Sequence, residues 1–193
     1  MKSQTANIDA ILDVAKERFK HFGFKKTSMD EICNDARISK KTIYRHFKSK
    51  EELFTVLFIR EAMAAREAIL RQLGPIPDPR KKLETLLMLG IRYVNEESFM
   101  STVVKDDRGL YLPFFNREQV VLAEKSLLEL IIDILREGIE RGNFRRVDTT
   151  IAAYSILKLF QTFTYARTIP PHQKGESYET KALLDLIIRG IQK

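Results

Sequence analysis

The 193-residue chain contains a single cysteine, Cys33, and no tryptophan. One cysteine cannot form an intramolecular disulfide, which excludes the small secreted proteins that depend on disulfides. No apolar run approaches the roughly 18 residues that a membrane span needs, and the N-terminus lacks the apolar segment of a signal peptide. The sequence therefore predicts a soluble, cytoplasmic protein with no membrane partner.

Sequence patterns of catalysis and metal binding are also missing. The chain has no glycine-rich phosphate loop, no nucleophile elbow and no paired histidine and carboxylate. Its three histidines, His21, His46 and His172, lie in unrelated segments, so no metal site is predicted. Cys33 falls on an apolar helix face with Met29, which favours core packing over redox chemistry. We expect neither an enzyme nor a cofactor.

Acidic residues are absent from Ala36 to Lys50, a segment that holds six Lys or Arg residues within a chain of net charge +7. Ser39 can cap a helix there, and Ile43 and Phe47 recur at i and i+4 as the anchored face. The other side chains are cations, hydroxyls and an aromatic ring. Such a surface suits the phosphates and base edges of a DNA groove, so the first hypothesis is sequence-specific DNA binding.

Two further helices precede this basic one. Helical spacing of apolar residues predicts a helix over 8–22 that ends at Gly23, and a capping box formed by Ser28 and Glu31 opens a second helix that runs to Ala36. The basic helix over 39–47 follows after a tight turn. Two short helices joined in this way, the second basic and exposed, describe a helix-turn-helix.

The rest of the chain also has helical periodicity, and no strand-type alternation is long enough to predict a sheet. The sequence Gly74-Pro75-Ile76-Pro77 must end the fourth helix, and 95–117 predicts only one or two short helices. The expected fold is all-α: a helix-turn-helix domain over 1–50 and a larger helical domain over 51–193. The further helices are predicted over 49 to about 73, 78–94, 117–140, 148 to about 167, and 183–191.

The N-terminal motifs carry a resemblance to a known family. Thr27-Ser28-Met29-Asp30-Glu31-Ile32 and Ile38-Ser39-Lys40-Lys41-Thr42-Ile43-Tyr44-Arg45-His46-Phe47-Lys48-Ser49-Lys50-Glu51-Glu52-Leu53-Phe54 resemble the DNA-binding domain of the TetR family. The match covers about the first 55 residues. The resemblance implies a homodimeric transcription regulator, usually a repressor, whose divergent C-terminal domain dimerises and binds a small effector.

Carried over residue by residue, the resemblance also implies the DNA contacts. It puts Lys40, Lys41, Thr42 and Arg45 against DNA, and Tyr44, His46, Lys50 and either Thr27 or Ser28 at phosphates. Two positions depart from the family's pattern: Arg37 stands in the turn where glycine is usual, and Lys41 stands where a small residue is common. Lys41 indicates either an extra contact or a different operator.

The resemblance further implies an effector pocket and a dimer interface. The pocket would take an apolar or aromatic molecule, and the interface would be a four-helix arrangement of the last two long helices and their symmetry mates. A subset of Phe58, Met88, Tyr93, Phe99, Tyr111, Phe114, Phe115, Phe160 and Phe163 is expected to line the pocket. The interface is expected to include Ile151, Tyr154, Leu157, Leu183, Leu184, Ile187 and Ile188.

The sequence thus predicts a ligand-responsive regulator that binds a palindromic operator as a homodimer and releases the double-stranded DNA when a small effector binds. The alternative is a ligand-binding or interaction protein whose basic helix contacts a protein or an anionic membrane surface. Salt dependence cannot separate the two hypotheses because every polybasic contact is screened. Preference for one palindrome over random duplex can.

Overall fold

The computed structural model describes residues 8–95, Phe99, 117–165 and 176–193, with side chains for 8–92, Phe99, 125–163 and 178–193. Every secondary-structure element in these ranges is a helix, which confirms the predicted all-α fold. The helices are α1 (Ile8–Phe22), α2 (Met29–Asp35), α3 (Lys40–His46), α4 (Lys50–Leu73), α5 (Pro79–Asn95), α6 (Arg117–Glu140), α7 (Thr149–Tyr165) and α8 (Glu176–Ile191).

The described residues divide into two compact units, and the division falls between Ala64 and Ala65 inside α4. The N-terminal unit comprises 8–64 with Phe99, and the C-terminal unit comprises the described residues from 65 to 95 and from 118 onward. The boundary expected at residue 50 stays a prediction. The first turns of α4 bury Leu53 and Leu57 completely in the N-terminal unit.

An aromatic cluster forms part of the core of the N-terminal unit. The rings of Phe19, Phe24 and Phe54 are buried, with centroids 5.0 to 5.7 Å apart. Phe99 extends the cluster, since its ring lies 5.5 Å from that of Phe54 and is almost completely buried. Burial of each such ring stabilises the fold by roughly 1.5–3 kcal/mol. The cluster connects α1, the α1–α2 loop and α4.

Ion pairs on the surface also connect α4 to α1. Arg60 of α4 donates to the carboxylate of Asp13 at 2.7 Å, and Lys16 of α1 pairs with Glu61 at 2.7 Å. These contacts lie one turn before the end of the N-terminal unit. The start of α4 therefore belongs structurally to the three short helices.

The C-terminal unit has a core built from α4 to α8, in which α5 packs against α7 and α8. Two glycines permit close approach of aromatic rings. A Cβ at Gly90 of α5 would lie 2.5 Å from the ring of Phe160, and one at Gly138 of α6 would lie 2.0 Å from the ring of Phe144. Real Cβ atoms do not approach this closely, so both rings require glycine opposite them.

Helix α8 begins at Glu176, whereas the sequence predicted a helix only from residue 183. That start was wrong because the first turns, Glu-Ser-Tyr-Glu-Thr-Lys-Ala, have no apolar stripe from which a helix can be read. The other described helices begin and end within about two residues of their predicted positions. Among the described residues, no helix combines the length and apolarity needed to cross a bilayer.

Candidate nucleic-acid interface

Helix α3 is anchored by one apolar face, as the sequence predicted. Ile43 is fully buried and Phe47 is 3% exposed. Ser39 caps the helix, because its hydroxyl accepts a hydrogen bond from the backbone N–H of Thr42 at 3.1 Å. The remaining side chains therefore lie on the other faces. Lys40, Lys41, Tyr44 and Arg45 are exposed, and Thr42 and His46 are half-buried.

The turn before α3 places Arg37 in the left-handed region, with φ of 53°. The N–H of Arg37 donates to the carbonyl of Asn34, and that of Ile38 donates to the carbonyl of Cys33. This is the Schellman pattern, whose left-handed position glycine usually occupies. Arg37 thus adopts the turn geometry without glycine's freedom, at a cost of about 1–2 kcal/mol.

The N-terminus of α2 carries the predicted capping box. The Ser28 hydroxyl accepts from the N–H of Glu31, and the Glu31 carboxylate accepts from the N–H of Ser28 at 2.8 Å. The Ser28 hydroxyl also donates to this carboxylate at 2.9 Å, and the two hydrogen bonds that the carboxylate accepts from Ser28, helped by Arg18, lower the pKa of Glu31. The box fixes the backbone where the sequence predicted a phosphate contact.

Thr27 and Ser28, the two candidates for that contact, differ in burial. Thr27 is only 2% exposed, and its hydroxyl donates to the carbonyl of Gly23 at 2.9 Å. Its side chain is therefore committed inside the protein. Ser28 is exposed, but its hydroxyl donates to Oε2 of Glu31 at 2.9 Å, so it can donate to a phosphate only by leaving that carboxylate.

Lys50 has a structural partner that the sequence did not indicate. Its amine donates to the carbonyls of Phe24 and Thr27, at 2.8 and 2.7 Å, and lies 4.2 Å from the centre of the Phe24 ring. Two of its three N–H groups are thus used within the protein. Lys50 holds the α1–α2 loop against the first residue of α4, and its predicted phosphate contact has only the third N–H available.

These residues border a surface groove of about 430 Å³. Lys25 and Lys26 also line it, and both are exposed. Sequence reasoning missed these two cations, although their position directly before the capping box of α2 was a usable signal. The full lining is Lys25, Lys26, Thr27, Ser28, Met29, Asp30, Tyr44 and Lys50.

Cys33 is 2% exposed, in agreement with the predicted core position. Burial raises the pKa of its thiol, with a smaller contribution from Asp30. A buried thiol with a raised pKa is unreactive. Within the described ranges, no three His, Cys, Asp or Glu side chains converge in a way that could hold a metal ion.

The predicted pocket residues are distributed over both units. Phe99 packs in the aromatic core of the N-terminal unit, and Phe160 is buried against Gly90. Met88 is 49% exposed, while Phe58 and Phe163 are partly buried. The side chain of Tyr93, and the residues Tyr111, Phe114 and Phe115, lie outside the described part of the chain.

The predicted dimer residues fall into two groups. Ile151 and Tyr154 of α7 are 66% and 55% exposed, and Leu184 of α8 is partly buried. The other four side chains are buried inside the C-terminal unit itself, because both helices also supply its core. These four are Leu157, Leu183, Ile187 and Ile188.

A short α2, a turn with a Schellman motif and an anchored basic α3 together define a helix-turn-helix DNA-binding protein. Comparison with known proteins identifies the family. The model for bacterial regulatory proteins of the tetR family matches residues 11–57, and the model for the tetracyclin repressor-like C-terminal domain matches residues 77–164. The chain belongs to the TetR family of transcriptional regulators, and it is accordingly a regulator and not an enzyme.

Individual relatives agree with this assignment. The uncharacterised HTH-type transcriptional regulator YhgD of Bacillus subtilis is 29% identical over 185 residues, which cover 94% of each chain. The HTH-type transcriptional repressor KstR2 of Mycolicibacterium smegmatis is 29% identical over 142 residues, 71% of this chain and 67% of its own. The structure of the regulator FadR from Bacillus subtilis with stearoyl-CoA has a TM-score of 0.75 at 20% identity, covering 96% and 100% of the chains. The last likeness shows the fold alone.

Proposed function

We propose that this regulator is a repressor that binds a palindromic operator as a homodimer and releases it when a small effector binds. The observation that carries the DNA-binding part is the anchored α3, whose buried Ile43 and Phe47 leave four exposed polar or cationic side chains directed outward. A helix held in this way can enter a major groove while its apolar face stays packed in the protein core.

The contacts can be assigned by side-chain chemistry. Lys40, Lys41, Thr42 and Arg45 are proposed to face base edges, because short hydroxyls and long cations donate to the acceptors of the major groove. Tyr44 and His46 are proposed to donate to phosphates, as is Ser28 once its hydroxyl leaves the Glu31 carboxylate, and Lys25 and Lys26 add positive charge beside Ser28. Lys50 contributes mainly by holding the loop that carries Ser28.

The proposed dimer uses the apolar side chains that α7 and α8 leave exposed. Ile151, Tyr154 and Leu159 on α7 are 47% to 66% exposed, and Tyr178 and Leu186 on α8 are 43% and 64% exposed. Ile151 and Tyr154 are three residues apart and Tyr178 and Leu186 are eight apart, so each pair lies on one side of its helix. A second copy that covers both faces would remove this apolar surface from water and present two α3 helices to the operator.

For the effector, we propose an apolar or aromatic molecule, with acyl thioesters as the first class to test. In the C-terminal unit, the partly buried Phe163 and the exposed Met88 provide apolar surface. The fold neighbour FadR was solved with stearoyl-CoA, which supports the choice of class. An effector releases DNA only if it binds the non-DNA-binding arrangement more tightly.

The test is fluorescence anisotropy on duplexes selected from a random library by the purified protein, compared with shuffled duplexes, at about 50 and 200 mM salt. We expect the selected sequence to be palindromic and to bind ~10³-fold more tightly than shuffled DNA. Tyr44→Phe, which removes only the hydroxyl, is expected to weaken binding to both duplexes equally. Equal, weak binding to selected and shuffled DNA by the wild-type protein would reject operator binding and favour a protein or anionic membrane partner for α3.

A further inference from the structure

The recognition helix α3 carries an ion pair that connects it to α2. The amine of Lys40 donates to Oδ2 of Asp30 at 2.6 Å, and both side chains are more than half exposed. Asp30 raises the pKa of Lys40, first through this hydrogen bond and then through its charge. Among the described residues, this is the only ion pair that includes a side chain of α3.

Asp30 is also the one acidic residue that lines the groove described above, where Lys25, Lys26 and Lys50 supply the cations. An exposed ion pair contributes little to the stability of a fold. A carboxylate on a surface that faces phosphates, by contrast, repels DNA and competes for any cation that it holds. The main consequence of the pair is therefore for the partners of Lys40.

We propose that Asp30 is a specificity-determining residue that acts through Lys40, by withholding the Lys40 amine from phosphates while positioning it for a base edge. This inference rests on the proposed operator binding. On random DNA, Lys40 could reach a phosphate away from the position that the pair sets only by leaving Asp30, which would leave a carboxylate uncompensated beside the DNA. Non-specific affinity is thereby reduced.

On the operator, the ion pair need not break. An ammonium group has three N–H donors, and the hydrogen bond to Asp30 uses one of them. The other two can donate to O6 and N7 of a guanine at the position that the pair sets. The ion pair thus lowers the affinity for the operator little and the affinity for all other sequences more. Such a difference in affinity produces specificity.

The experiment measures binding of the full-length protein to selected and shuffled duplexes over a series of salt concentrations. Asp30→Asn removes the charge that holds Lys40. Asp35→Asn is the matched control, since it changes the net charge of +7 by the same amount on the same helix but breaks a pair with Arg18 of α1. Both substitutions are repeated in a Lys40→Met background. Thermal unfolding verifies that each variant is folded.

We expect Asp30→Asn to raise affinity for shuffled DNA about 3- to 10-fold beyond the effect of Asp35→Asn, and to steepen its salt slope by about 0.9, the value of one added phosphate contact. Affinity for the selected duplex should change less, so the specificity ratio falls. In the Lys40→Met background the two substitutions should have the same effect.

Three outcomes would overturn the proposal. Equal effects of Asp30→Asn and Asp35→Asn in the wild-type background would show that only net charge matters. An Asp30→Asn effect that persists with Lys40→Met would show that Asp30 acts without Lys40, for example at a cytosine amine. An unchanged ratio of the affinities for selected and shuffled DNA in Asp30→Asn would show that Asp30 does not discriminate between sequences. If wild-type protein fails to distinguish the duplexes, operator binding itself is rejected, and this inference with it.

Discussion

Replacing Lys50 by methionine separates two roles that this lysine can have, support of the α1–α2 loop and binding of a DNA phosphate. Its amine donates to two backbone carbonyls and lies over the ring of Phe24. Hydrogen bonds from a charged group are worth roughly 1.5–3 kcal/mol each when buried, and a surface cation–π contact about 0.5–1 kcal/mol. Because Lys50 is only partly buried, water can replace much of each contact. We expect Lys50→Met to lower the free energy of unfolding by about 2 kcal/mol, since methionine keeps only the apolar stem.

The assay is thermal unfolding by circular dichroism, together with the salt dependence of DNA binding. A loss of about 2 kcal/mol corresponds to a decrease of roughly 4–8 °C for a chain of this size. Lys48→Met is the control, because Lys48 is exposed and its removal changes the charge equally. If Lys50→Met leaves the unfolding temperature unchanged and only reduces the salt slope by about 0.9, Lys50 is a phosphate ligand and not a support for the α1–α2 loop.

Three further predictions concern stability. Gly138→Ala should destabilise the protein by about 1–3 kcal/mol in urea unfolding, because the new Cβ would overlap the Phe144 ring. The control is Gly190→Ala, whose Cβ would meet nothing within 4 Å and which should not destabilise the protein. Equal stability of the two variants would contradict the packing. At position 37, the unfolding temperature should be highest with glycine, lower with the wild-type arginine and lowest with valine. The reason is that φ is positive there and a β-branched side chain is the most strained. A valine variant as stable as wild type would refute this. Glu31→Gln should be less stable than wild type at neutral pH. Since folding lowers the pKa of Glu31, its stabilisation is present above the ordinary value of 4.5 and is lost as the pH falls through the lowered value, so the difference should shrink below pH 4.5; a difference independent of pH would rule out this contribution.

The α-helical fold and the position of the recognition helix were predictable from the sequence because their causes are local. Each of these signals involves residues no more than about four positions apart in the chain. They are the Ser28 capping box, the glycine at 23 and the i, i+4 pair of Ile43 and Phe47. Local signals failed where they were weak. The first turns of α8 have no apolar stripe, and its start was therefore predicted too late.

The roles of individual polar and aromatic side chains required the tertiary structure. Lys50 reaches carbonyls 23 and 26 residues earlier in the chain, and Lys40 reaches Asp30 ten residues earlier on another helix. Phe99, expected in an effector pocket, packs against Phe54 within the N-terminal unit. Composition and spacing determined that this chain forms helices and which one is basic, because turns and caps involve near neighbours. Which cations are available to DNA was decided by tertiary packing, because an amine binds whichever acceptor the fold brings within about 3 Å.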